Sequence, residues 1–123
     1  MELHLDELVS EVDEMMHTIH RTYGETSEVK DLDMTYLHLM GRHYIRTGEY
    51  EKGVRNILSL VEIASEVRNL DYLLMGYKQM IYYDIQIGNT EEMRNYLELA
   101  LNVADECNYH KEWVFSFVSK GLT

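Results

Sequence analysis

The 28 residues Leu37 to Ala64, LHLMGRHYIRTGEYEKGVRNILSLVEIA, return 40 positions later as Tyr77 to Ala104, YKQMIYYDIQIGNTEEMRNYLELALNVA. Met40 falls on Met80, Ile45 on Ile85, Gly48 on Gly88, Glu51 on Glu91 and Ala64 on Ala104. Ile57, Val61 and Ile63 meet the similar Leu97, Leu101 and Val103. Within each copy a glycine separates two stretches whose apolar residues recur every three to four positions, the period of an α-helix with one buried face. Each copy is therefore read as a helical hairpin. A hairpin of this kind has two apolar faces and covers neither alone, so successive hairpins stack and each covers its neighbour. The same displacement brings Gly121 under Gly41 by way of Ile81, so the segment from about His110 to Thr123 reads as the first helix of a third unit.

Working outward, Leu5, Leu8, Val12, Met15 and Ile19 form one stripe on an N-terminal helix of about five turns whose other face is acidic. The polar stretch Glu25 to Asp33 reads as a loop, with the next helix starting at an Asp cap near Asp31 or Asp33 and stopping at Gly48. A third helix is expected from Tyr50 to Val67, a fourth from a cap at Asp71 to Ile87, and a fifth from a capping box made by Asn89 and Glu92. The predicted organisation is a single domain over 1–123: a cap helix in 1–30, repeat one in 34–69, repeat two in 70–109 and a partial third repeat in 110–123. The predicted fold class is all-α, an α-α superhelix of stacked antiparallel helical hairpins. The alternative is a closed antiparallel bundle, against which the 40-residue register argues.

Composition points the same way. The chain of 123 residues has no proline and is rich in Leu, Met and Glu, so the strongest helix breaker is missing. Net charge is −11, and residues 1–33, with ten acids and two bases, hold most of it. Such a charge repels a phosphate backbone or an anionic membrane surface, so neither nucleic acid nor membrane is an expected partner. Charged residues interrupt every apolar run well short of the ~20 residues that cross a bilayer. Cys107 is the only cysteine and no basic-then-apolar leader opens the chain, from which a cytoplasmic location is expected.

Catalytic constellations are missing: no glycine-rich phosphate loop, no Ser-His-Asp and no Cys-His pairing with local context. Asp13, His17 and His20 share one face of the first helix, but three ligands along one helix do not converge into a tetrahedron, so no metal and no cofactor is expected. Cys107 reads as a small apolar residue. The chain is not expected to be an enzyme.

The pattern Leu37-x-x-Met40-Gly41-x-x-Tyr44-x-x-x-Gly48, followed by Tyr50, Gly53, Ile57 and Leu60, resembles the tetratricopeptide repeat signature. The second copy, Tyr77-x-x-Met80-Ile81-x-x-Asp84-x-x-x-Gly88 with Met93, Leu97 and Ala100, matches more loosely, with Ile81 in the place of the small residue and Asp84 in that of the tyrosine. The proline usual at the repeat end is absent. The repeat is about six residues longer than the usual ~34, which is similar to the lengthened repeats of bacterial signalling proteins that sense secreted peptides.

The resemblance implies a scaffold that binds protein or peptide in a concave groove lined by the first helix of each hairpin. Carried over residue by residue, the groove positions are Thr35, His38, Arg42, Ile45 and Arg46, then Met75, Lys78, Tyr82, Ile85 and Gln86. Of these, His38, Arg42, Arg46, Lys78 and Tyr82 are the expected contact residues. A basic and aromatic wall on an acidic protein favours an acidic or carboxylate-ended peptide, since one-turn-apart guanidinium groups can fork onto carboxylates. The readings that compete with the scaffold are a peptide-sensing regulatory domain and a structural dimerisation module. Trp113, Phe115 and Phe117 at an open apolar end are the expected homodimer interface.

Overall fold

The computed structural model describes residues 5–106. Helices α1 (Leu5–Tyr23), α2 (Ser27–Arg46), α3 (Tyr50–Val67), α4 (Leu70–Ile87) and α5 (Thr90–Glu106) follow one another with short connections. The protein is all-α. Cys107, the partial repeat at 110–123 and the aromatic residues Trp113, Phe115 and Phe117 lie outside the described residues. Among the described residues no helix is long and apolar enough to cross a membrane.

Packing is between neighbours. Helix α2 lies on α3 and α4 on α5, α3 meets α4, and α2 also touches α4. Among the described residues α1 packs on α2 alone and α5 on α4 alone. A closed bundle would bring the last helix back onto the first or second, so this pattern is that of stacked hairpins, as the internal repeat requires.

The 40-residue register is visible in burial. Met34 and Leu74, Met40 and Met80, Leu60 and Ala100, and Ala64 and Ala104 are buried pairwise, and all but Met40 belong to one continuous core. Gly41 and Gly53 mark the closest approach of α2 to α3: a Cβ on Gly53 would sit 3.0 Å from both the Gly41 carbonyl oxygen and the Ile45 nitrogen. Backbone cannot retreat as a flexible side chain can, so this contact requires glycine at 53. Ile81 and Met93, both buried, take the corresponding places in the second hairpin.

The turns repeat as well. Glu49 N–H donates to the Tyr44 carbonyl (2.8 Å), Asn69 to Ala64 (2.9 Å) and Asn89 to Asp84 (2.8 Å), each closing the preceding helix across five residues. This is the hydrogen bond of a Schellman ending, which needs a left-handed residue just before the donor. Gly48 (φ 87°) and Gly88 (φ 77°) supply it at no steric cost, and Arg68 (φ 57°) adopts it in the turn between the hairpins.

Two helix starts differ from expectation. Helix α2 begins at Ser27, so most of the stretch read as a loop is helical: the Thr26 hydroxyl accepts from the Val29 N–H (3.2 Å), and Val29 within that polar run and Met34 just after it are buried. Helix α4 is capped by Asn69, whose side chain accepts from the Tyr72 N–H (3.1 Å), two residues ahead of the expected Asp71. At α5 the Glu92 N–H donates to the Asn89 side chain (3.3 Å), the forward half of the expected capping box.

Candidate functional site

On α2, His38, Arg42 and Arg46 follow at intervals of four and lie on one face. On α4, Met75, Lys78, Gln79 and Tyr82 do the same at intervals of three and four. Because α2 and α4 touch, the two rows meet across a hollow of about 290 Å³ lined by these seven residues. All five expected contact residues, His38, Arg42, Arg46, Lys78 and Tyr82, are therefore brought together.

The other carried-over positions fall elsewhere. Ile45 is a core residue, only 3% exposed, because α3 lies over it at Gly53. Ile85 is half-buried against the same core. Thr35 exchanges a 2.6 Å hydrogen bond with the Tyr72 hydroxyl beyond the end of the hollow, and Gln86 is exposed and not part of the lining. Gln79, which sequence reading missed, is the residue one turn from Met75 and Tyr82; the spacing that found its neighbours would also have found it.

The electrostatics of the hollow are those of crowded cations. Burial lowers the pKa of Lys78, and the Arg42 guanidinium lowers it further. Burial likewise depresses the His38 imidazole, with Arg42 and Lys78 adding to the effect, so His38 is neutral at pH 7. Its ring sits edge-on to Tyr72, centroids 6.4 Å apart. Among the described residues no carboxylate pairs with Arg42 or Arg46. A carboxylate entering the hollow would relieve this repulsion and meet planar guanidinium donors.

Chemistry-bearing residues also gather at the α1–α2 junction. Of the three on one face of α1, Asp13 accepts a hydrogen bond from the Tyr36 hydroxyl, His17 is exposed, and His20 bridges two carboxylates. Its Nδ1 meets Glu25 Oε1 at 3.0 Å and its Nε2 meets Asp33 Oδ1 at 2.7 Å. The expected face thus divides, and Asp13 and His20 serve to tie α1 to α2. His20, Glu25 and Asp33 present donor atoms within 4.8 Å of one another, a set that could meet a cation. With both ring nitrogens engaged, the simpler state is an imidazolium shared by two carboxylates, and Asp33 followed by Glu25 raises the His20 pKa accordingly.

A further site went unnoticed in the sequence. Asp84, in the place that Tyr44 holds in the first repeat, is fully buried, and neither carboxylate oxygen has a hydrogen-bond partner among the described residues. Burial, with Glu92 of α5 close by, pushes its pKa up to about 7. An acid in the apolar phase of a helix was the available signal.

No protein-family model, curated protein or solved structure matches the chain.

Proposed function

We propose that the chain is a tetratricopeptide-like scaffold that binds an acidic or carboxylate-ended peptide in the groove between α2 and α4. The observation that carries this reading is the convergence of His38, Arg42, Arg46, Lys78 and Tyr82 on one hollow, in a chain whose net charge is −11. Cations gathered against their mutual repulsion are at home where a ligand brings the opposite charge. Arg42 and Arg46 would fork onto ligand carboxylates, Lys78 would add a point charge, and Tyr82 with Met75 would supply apolar area. On this reading the chain is a binding module of the cytoplasm and not an enzyme.

The test is fluorescence anisotropy with a labelled Glu- and Asp-rich peptide against its Gln and Asn counterpart. The acidic peptide is expected to bind the wild type, to lose at least about tenfold in affinity to the Arg42→Ala, Arg46→Ala double variant, and to bind more tightly as falling pH charges His38, whose pKa burial depresses. Equal binding of the neutral peptide, or an unchanged affinity in the folded double variant, would remove the groove from consideration.

A further inference from the structure

Helix α1 is amphipathic, yet among the described residues its apolar stripe does not face the other helices. Leu8, Val12 and Met15 are 39%, 36% and 60% exposed, and Tyr23 at the end of the same stripe is 67% exposed. The residues turned toward α2 are instead Asp13, Met16 and His20, about a quarter turn further round the helix. The rotation follows from the polar ties to Tyr36 and Asp33, which orient α1 by hydrogen bonds and leave its most apolar line pointing outward.

That line is not flat. One hollow, of about 440 Å³, lies among Glu11, Glu14, Met15, Thr18 and Ile19. A second, of about 430 Å³, continues from Ile19 past Tyr23 to Val29 and the 41% exposed Leu32 at the start of α2. The two hollows share Ile19, and the trough they make follows α1 from Glu11 to Tyr23, a rise of about 18 Å or a little over three turns. Exposed Glu11 and Glu14 line the first hollow, exposed Glu7 lies one turn before Glu11 on the same face of α1, and exposed Glu28 lines the second hollow. An apolar seam edged by one sign of charge takes a helix with apolar anchors at three- and four-residue spacing and the opposite charge beside them.

We propose that this outward face of α1 is a docking surface for a basic amphipathic helix, whose apolar stripe covers Leu8, Val12, Met15 and Ile19 and whose Lys or Arg residues pair with Glu7, Glu11 and Glu14. A second copy of the same face is a poor occupant, since it would set the acidic border of one α1 against that of another. The surface is separate from the α2–α4 groove and stands or falls independently of it.

The experiment is calorimetric titration of the full chain with a synthetic helical peptide of about 18 residues carrying Leu at the anchor spacing and Lys at the flanks, beside the same peptide with Glu for every Lys. The Lys peptide is expected to bind and the Glu peptide not. Met15→Glu, in the middle of the apolar stripe, should weaken the Lys peptide by at least about tenfold. Glu11→Lys with Glu14→Lys should reverse the preference between the peptides, while Arg42→Ala with Arg46→Ala should leave it unchanged. Circular dichroism melts establish that each variant is folded. Unchanged affinity in folded Met15→Glu, or no reversal in the Lys variant, would overturn the proposal. So would sedimentation equilibrium showing a wild-type dimer that Met15→Glu dissociates, since the occupant would then be a second copy.

Discussion

Asp84 stands in an apolar phase of α4, one repeat after Tyr44, with Tyr77, Tyr96 and Glu92 around it. Burial lifts the hydroxyl pKa of both tyrosines, and the Glu92 and Asp84 carboxylates lift Tyr96 further. A buried carboxyl whose pKa rises to about 7 is tolerated when protonated and costly when charged. The sign follows from linkage: its contribution to stability is fully present below the unfolded pKa near 4, declines as pH rises through about 7, and is flat above that. Asp84→Asn keeps the shape and removes the titration. It is expected to be close to neutral at pH 4 and to stabilise the fold by on the order of 2 kcal/mol at pH 8, read from urea denaturation at a series of pH values. A difference between variant and wild type that does not grow with pH would show that the carboxyl is already satisfied. The groove side chains belong to this scale too. The tetratricopeptide resemblance assigned them to a concave face and their spacing agrees with it, whereas Asp84 was passed over because a single acid in a period of apolar residues looks like ordinary surface until the helix on the other side is known.

For a helix, the informative case is α1, which among the described residues is held through α2 alone. Its polar ties include His20, whose pKa is raised chiefly by its hydrogen bond to Asp33. A histidine with a raised folded pKa stabilises docking fully below pH 6.5 and loses that contribution as pH climbs through the raised value. Amide hydrogen exchange in α1, corrected for the intrinsic pH dependence, is therefore expected to speed up several-fold across that window while α3 and α4 stay protected. His20→Gln should abolish the pH dependence. Uniform exchange behaviour in all helices would show that α1 unfolds only with the whole. This helix also shows how far a sequence reaches. The stripe Leu5 to Ile19 gave the helix and its amphipathic character, but the face that docks is chosen by Asp13 and His20, whose partners Tyr36 and Asp33 lie on another element and have no signature in α1 itself. The bounds of α3 were readable because Gly48 and the start of the apolar period flank it directly. The start of α2 was not, because a helix of polar composition can be held by one Thr cap and two buried apolar residues.

At the level of the whole molecule, the internal repeat carries the architecture. Pairs of buried residues 40 apart and turns closed by the same hydrogen bond recur because each hairpin solves the same packing problem as the one before it. The choice of open stack over closed bundle was accessible from the register alone, since a bundle gives no reason for a repeat. Which faces remain uncovered was not accessible, because that depends on how each helix is rotated about its axis.

One consequence of this local packing concerns time. Among the described residues no helix meets one more than two places away along the chain, so the search for native contacts spans short loops only. With no proline in 123 residues, the slow isomerisation that delays many chains is also missing. Refolding from urea is expected to be complete within milliseconds, observed by stopped-flow or temperature-jump fluorescence. A dominant phase of seconds would mean that the hairpins do not assemble from local contacts. A chain that folds this quickly spends little time with its apolar seams exposed, which leaves the outward line of α1 as a surface displayed by the finished protein and not merely by its precursors.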